Sequence, residues 1–138
     1  MRLADKKILI TGGSRGIGRA CVAKMAAEGA TVAFVYKSNR EAAEGLMAEM
    51  AASGHEVRAV QADVRDRAQV DELVNQLVEA WERLDVLVNS AGIVRDGLLG
   101  AMTADQWSEV IETNLGGTYN FCHAVVQPMM YQRNGSIV

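Results

Sequence analysis

The stretch Thr11-Gly12-Gly13-Ser14-Arg15-Gly16-Ile17-Gly18 sets glycines and small polar residues at a spacing suited to holding a phosphate against the main chain. It follows the apolar run Ile8-Leu9-Ile10 and opens into Arg19-Ala20-Cys21-Val22, giving a strand, a turn and a helix start in that order. Gly12 and Gly13 permit a sharp turn off the strand and close approach of a pyrophosphate to the backbone. Gly16 and Gly18 fall in the first helical turns, where glycine costs up to about 1 kcal/mol relative to alanine. Proximity offsets that cost: without Cβ atoms the helix sits close to strand and ligand, and its free N–H groups and dipole face an anion.

Further residues extend the same chemistry. A dinucleotide site usually has an acidic residue about 20 positions after the glycines, accepting bonds from the adenosine ribose. Here that place holds Tyr36, followed by Lys37, Ser38, Asn39 and Arg40. A carboxylate would repel a 2′-phosphate, whereas Arg15 with Lys37 or Arg40 clamps one, so the predicted preference is NADP(H) over NAD(H). Lys37 and Arg40 read equally well as solvated cations, and Arg15, inside the turn, is the stronger candidate. Asp63 ends a third apolar run, where it can accept from an adenine amino group while the backbone of Val64 meets the ring edge. Asn89 has a side chain able to bond strand backbone, and Ala91 and Gly92 beside it leave room for a ribose. Asn114 lies in an apolar helical pattern just before Gly116-Gly117, so a buried amide there needs partners and marks a local break with a free carbonyl, or else is a satisfied core asparagine. His55 and His123 have no second ligand at metal spacing, and no metal site is predicted.

These residues require a strand and helix framework. Lys6 to Thr11, Thr31 to Tyr36, Glu56 to Gln61 and Asp85 to Val88 read as short apolar strands of a parallel sheet. Gly16 to about Glu28 reads as a helix with Ile17, Ala20, Met25 and Ala26 facing the sheet. Ser38 and Glu41 have capping-box spacing before the stripe Ala43, Leu46, Met47 and Met50. Asp66 caps a helix carrying Val70, Leu73, Val74, Leu77, Val78 and Trp81. Thr103 and Gln106 open one long helix from Ala104 to Tyr131, apolar on more than one face, so one face meets the sheet and another a partner. Ser136-Ile137-Val138 begin a fifth strand. The alternation predicts an α/β, doubly wound parallel sheet of the Rossmann type in one domain over residues 1–138, with strand order 3-2-1-4-5. The ligand then lies at the carboxyl ends of strands 1 and 4.

Composition narrows the function classes. A 138-residue chain that is 49% hydrophobic and 22% charged is sized for one core. A net charge of -3 and a pI near 5.4 argue against a nucleic-acid surface. No apolar stretch reaches the length of a membrane span, and the two cysteines, Cys21 and Cys122, fit a reducing cytoplasmic setting.

Taken together the motifs resemble those of the short-chain dehydrogenase/reductase family, over the whole chain. Thr11 to Gly18 is similar to its TGxxxGxG turn, Asp63 to its adenine-contacting aspartate, and Asn89-Ser90-Ala91-Gly92 to its NNAG segment, with Ser90 a departure. Gly92 to Leu99 with Glu112-Thr113-Asn114-Leu115 resembles the bacterial 3-oxoacyl-acyl-carrier-protein reductases in particular. The resemblance implies NADPH-dependent reduction of a 3-oxoacyl thioester, with Asn114 as a catalytic residue whose main-chain carbonyl holds a water of the proton relay. It also implies a homodimer or homotetramer built through the long helix, and Arg133 matches an arginine that docks acyl carrier protein. The family's serine and Tyr-x-x-x-Lys pair have no counterpart within residues 1–138, so the chain reads as the amino-terminal portion of a longer reductase, cut within strand 5 and inactive alone. Alternatives are a non-catalytic NADP(H)-binding module, a related dehydrogenase acting on another alcohol or ketone, and a SAM-dependent methyltransferase. Arg15 with non-acidic Tyr36 favours a phosphorylated nucleotide over SAM.

Overall fold

The computed structural model describes all residues, 1–138. Five parallel strands form one sheet in the order β3-β2-β1-β4-β5, as the alternation predicts. They are β1 (Lys7–Thr11), β2 (Thr31–Tyr36), β3 (Val57–Gln61), β4 (Val86–Asn89) and the short β5 (Ser136–Ile137). The helices are α1 (Gly16–Ala27), α2 (Arg40–Ala52), α3 (Arg67–Trp81), α4 (Ala104–Val110) and α5 (Gly117–Tyr131).

Strand periodicity divides the core in two. Side chains alternate across a strand, so Ile8 and Ile10 of β1 point to one face, with Phe34 of β2, Val22 and Ala26 of α1, and Leu46 and Met50 of α2. Leu9 points to the other, with Val70, Leu73, Val74 and Leu77 of α3 and Phe121, Val125 and Met129 of α5. Register follows: Ile8, Leu9 and Ile10 stand beside Val32, Ala33 and Phe34 on one side and Val86, Leu87 and Val88 on the other. That alignment brings Thr11 level with Asn89. The ends of β1 and β4 are thereby fixed side by side, which is what the site requires.

Three local expectations are corrected. Helix α1 buries Gly18, Val22 and Ala26, whereas Ile17 and Ala20 face outward, because Gly18 sits against the end of β1 and sets which face turns inward. Asn39, not Ser38, caps α2, its Oδ1 accepting from the Ala42 amide at 3.0 Å. The predicted continuous helix from Ala104 to Tyr131 is interrupted by a π-helical turn over Ile111–Gly116. The capping box of Thr103 and Gln106 at its start is present, with both bonds formed.

Asp85, just before β4, ties distant segments together. Its carboxylate accepts from the Lys7 amide at 2.9 Å and from Arg83 and Asn134, with Lys6 at 4.0 Å. Burial alone would raise its pKa, but the bonds from Arg83 and the Lys7 amide and the charges of Arg83 and Lys6 outweigh it and hold the pKa below 3.8. A carboxyl with a depressed folded-state pKa contributes stability above its unfolded pKa that is lost as pH falls through the folded value. Urea midpoints measured down a pH series are expected to hold steady above about pH 4 and to fall below it. Asp85→Asn should lower the neutral midpoint and flatten that acid slope; an unchanged slope would remove Asp85 from the account.

Candidate functional site

At the carboxyl ends of β1, β2 and β4 lies a groove of about 430 Å³, within the range of small-molecule sites. Its floor is the glycine turn. Gly12 has φ +64°, and a Cβ there would lie 2.7 Å from the Ala91 backbone. A Cβ on Gly18 would lie 2.2 Å from the Gly12 carbonyl oxygen. The turn is thus pressed against both β4 and its own helix, with space left only on the groove side.

Helix α1 differs from α2, α3 and α4 at its first turn. Those three are capped by Asn39, Asp66 and Thr103, whereas the N-cap residue Arg15 makes no side-chain capping bond. The first amides of a helix have no partner within it, and those of α1 open toward the groove with the positive end of the helix dipole. The residues fit a bound diphosphate: the donors are free, and the glycines keep the approach clear.

Thr11 joins the turn to β4. Its buried hydroxyl oxygen accepts from the amides of Ser90 at 3.1 Å and Ala91 at 3.0 Å. Sequence reasoning gave Thr11 no role, since its partners lie 79 and 80 positions away.

Of the residues expected to bind the cofactor, Gly12, Ser14, Arg15, Gly16, Ile17, Tyr36, Lys37, Asp63, Val64, Ala91 and Gly92 line the groove. Gly18, Arg40, Asn89 and Asn114 do not. Gly18 supports the floor. Arg40 is the first residue of α2 and is exposed outside the groove wall. Asn89 lies behind it, its Nδ2 donating to the Val138 carbonyl at 3.3 Å, as the expected bond to neighbouring strand backbone. Asn114 is exposed rather than buried, yet its amide is used at both ends: Oδ1 accepts from the Ile93 amide at 2.8 Å and Nδ2 donates to the Ile93 carbonyl at 3.0 Å. The break expected there is the π turn, and the Asn114 carbonyl accepts from the Thr118 hydroxyl at 2.8 Å instead of standing free.

Arg15 and Lys37 line the groove with Tyr36, and β2 ends without an acidic residue of its own. Asp63 is gripped by Arg65 through both carboxylate oxygens, with Lys37 3.5 Å away. Hydrogen bonding from the Arg65 side chain, against a smaller opposing effect of burial, lowers its pKa from 3.8 to about 2, so the carboxylate is ionised at neutral pH. Arg95 and Glu109 also line the groove, and sequence reasoning missed both.

This fold and groove are those of a dinucleotide-binding Rossmann protein. The chain belongs to the short chain dehydrogenase family, whose pattern it matches over residues 6–138. It is 44% identical over 138 residues to a 3-oxoacyl-acyl-carrier-protein reductase of Thermotoga maritima, covering all of this chain and 56% of that protein. It is 42% identical over 133 residues to the corresponding reductase of Staphylococcus aureus, covering 96% of this chain and 54% of that one. A short chain dehydrogenase from Burkholderia cenocepacia, solved in complex with NADP, superposes with a TM-score of 0.87 at 38% identity, covering 93% of this chain and 52% of that one. The chain spans about half the length of the curated relatives it matches. No helix is long and apolar enough to cross a membrane.

Proposed function

We propose that the chain supplies the NADP(H)-binding portion of a cytoplasmic reductase converting 3-oxoacyl thioesters, carried on acyl carrier protein, to 3-hydroxyacyl thioesters. The observation that carries the reading is the uncapped first turn of α1, opening into a groove whose β2 wall ends in Tyr36 and Lys37 without a carboxylate. The reductase relatives and the NADP complex of a similar structure support it. Amides of Gly16 and Ile17 hold the pyrophosphate above the floor that Gly18 supports, Arg15 and Lys37 hold the 2′-phosphate, and Asp63 the adenine amino group beside the Val64 backbone. Arg40, outside the groove, has the least claim on that phosphate. Ala91 and Gly92 leave room for the second ribose, and Asn89 steadies the strand beneath them. The cofactor, when bound, supplies hydride to the carbonyl carbon. Asn114 fixes Ile93, and its main-chain carbonyl is the proposed holder of a relay water.

Arg15→Ala tests the phosphate clamp. The unmutated protein is expected to bind NADPH more tightly than NADH, and the substitution to remove most of the difference, about 1.5–3 kcal/mol for a charge-assisted bond. Equal affinities of the unmutated protein for the two cofactors would refute the assignment.

The proposed homodimer or homotetramer rests on the outer face of α4, the π turn and α5. Trp107, Ile111, Leu115 and Tyr119 recur every four residues there, 39–65% exposed. A ridge of this kind in water is a docking surface more often than a free one. Sedimentation across a dilution series is expected to show dimer or tetramer at micromolar concentration; a persistent monomer would contradict it. Arg133, exposed in a left-handed turn after α5, is the proposed contact for acidic acyl carrier protein.

A further inference from the structure

The far wall of the groove is formed by residues 93–95, and it is thin. Ile93 and Arg95 line the groove on one side and, with Val94, Met102, Trp107 and Val110, a second hollow of about 300 Å³ on the other. A segment with open space on both sides is not held by packing. Its position must come from directional bonds.

Those bonds run to α4 and the π turn. Asn114 holds Ile93 by both main-chain groups. Arg95 meets Glu109 through two parallel bonds of 2.9 Å, Nε to Oε2 and Nη2 to Oε1. Its Nη1 donates to the Val94 carbonyl, also at 2.9 Å. A bidentate pair fixes orientation as well as separation, and the third bond turns the guanidinium into a brace across its own loop.

We infer that Arg95 and Glu109 are a positioning pair, clasping the loop after β4 so that it forms a fixed wall for the nicotinamide half of the dinucleotide. The inference rests on the proposed cofactor: residues 93–95 follow directly on Ala91 and Gly92, which are proposed to face the second ribose, so the clasped loop walls that half. Neither residue reacts; each acts through the wall it holds.

The test is a titration of NADPH and of its adenine-end fragment, adenosine 2′,5′-bisphosphate, against the protein, Arg95→Ala, Glu109→Ala and the exchange Arg95→Glu with Glu109→Arg. Each single substitution is expected to weaken NADPH about five-fold, the upper range for a partly exposed pair, while the fragment binds as before. The exchange should recover part of the loss. Fragment affinity also reports folding, so a variant that loses NADPH and fragment equally would overturn the clasp, as would single substitutions that leave NADPH unchanged. An unmutated protein that binds neither probe would refute the cofactor reading itself.

Discussion

Gly18→Ala is expected to destabilise the protein by about 3 kcal/mol, at the upper end for forcing extra volume into a packed site, and to remove nucleotide binding. The added Cβ would fall 2.2 Å from the Gly12 carbonyl oxygen and 3.2 Å from the Gly13 Cα. Both atoms are backbone of the turn, so neither can move without lifting the turn from β4, where a Cβ on Gly12 already has no room beside Ala91. Displacement of the first turn of α1 also redirects the amides proposed to meet the pyrophosphate. Gly45, on α2 with open space around its Cβ position, is the control: Gly45→Ala should be neutral or mildly stabilising, because it removes a helix-interior glycine. Chemical denaturation of the two variants checks the pair. Equal midpoints would mean that the turn is not held as tightly as its geometry requires.

Carbonyl reduction by the 138-residue chain is expected to be undetectable. Hydride addition to a ketone leaves an alkoxide, and a positioned acid typically contributes about 10²- to 10⁴-fold. In the family resemblance that acid is a tyrosine with lysine four positions on. Here Tyr36 is followed at that spacing by Arg40, Tyr119 by His123 and Tyr131 by Gly135. Tyr119 packs against His123 and under Arg67 and is not among the residues lining the groove. NADPH oxidation with an acetoacetyl thioester, using protein of verified mass 14.9 kDa, is the assay. Sustained turnover would show that another group donates the proton.

The sheet order and the glycine turn were legible because each is written locally. Short apolar runs alternate with helical stripes, and connection rules leave few topologies. The groove-lining residues next to the turn followed from position at strand ends. What escaped has a common cause in partners remote along the chain. The inward face of α1 is set by the fit of Gly18 against Gly12, not by apolar periodicity, so Ile17 was assigned inward and is 79% exposed. Thr11 reads as a strand-end threonine until Ser90 and Ala91 arrive beside it. Arg95 and Glu109 sit on different elements 14 positions apart, and either alone reads as a solvated charge. Asn114 was singled out, but its use as a two-ended clamp on Ile93 depends on the π turn, which widens the helix where apolar periodicity predicted continuity.

The free amides of the first turn of α1 are proposed to receive the dinucleotide pyrophosphate. Amide-resolved NMR of the labelled protein during an NADPH titration tests this most directly. The Gly16 and Ile17 amide signals are expected to shift downfield together and saturate with the Lys37 and Ala91 signals, while those of Gly45 and Gly54, outside the groove lining, stay in place. Saturable NADPH binding that leaves the Gly16 and Ile17 amides unmoved would overturn that assignment.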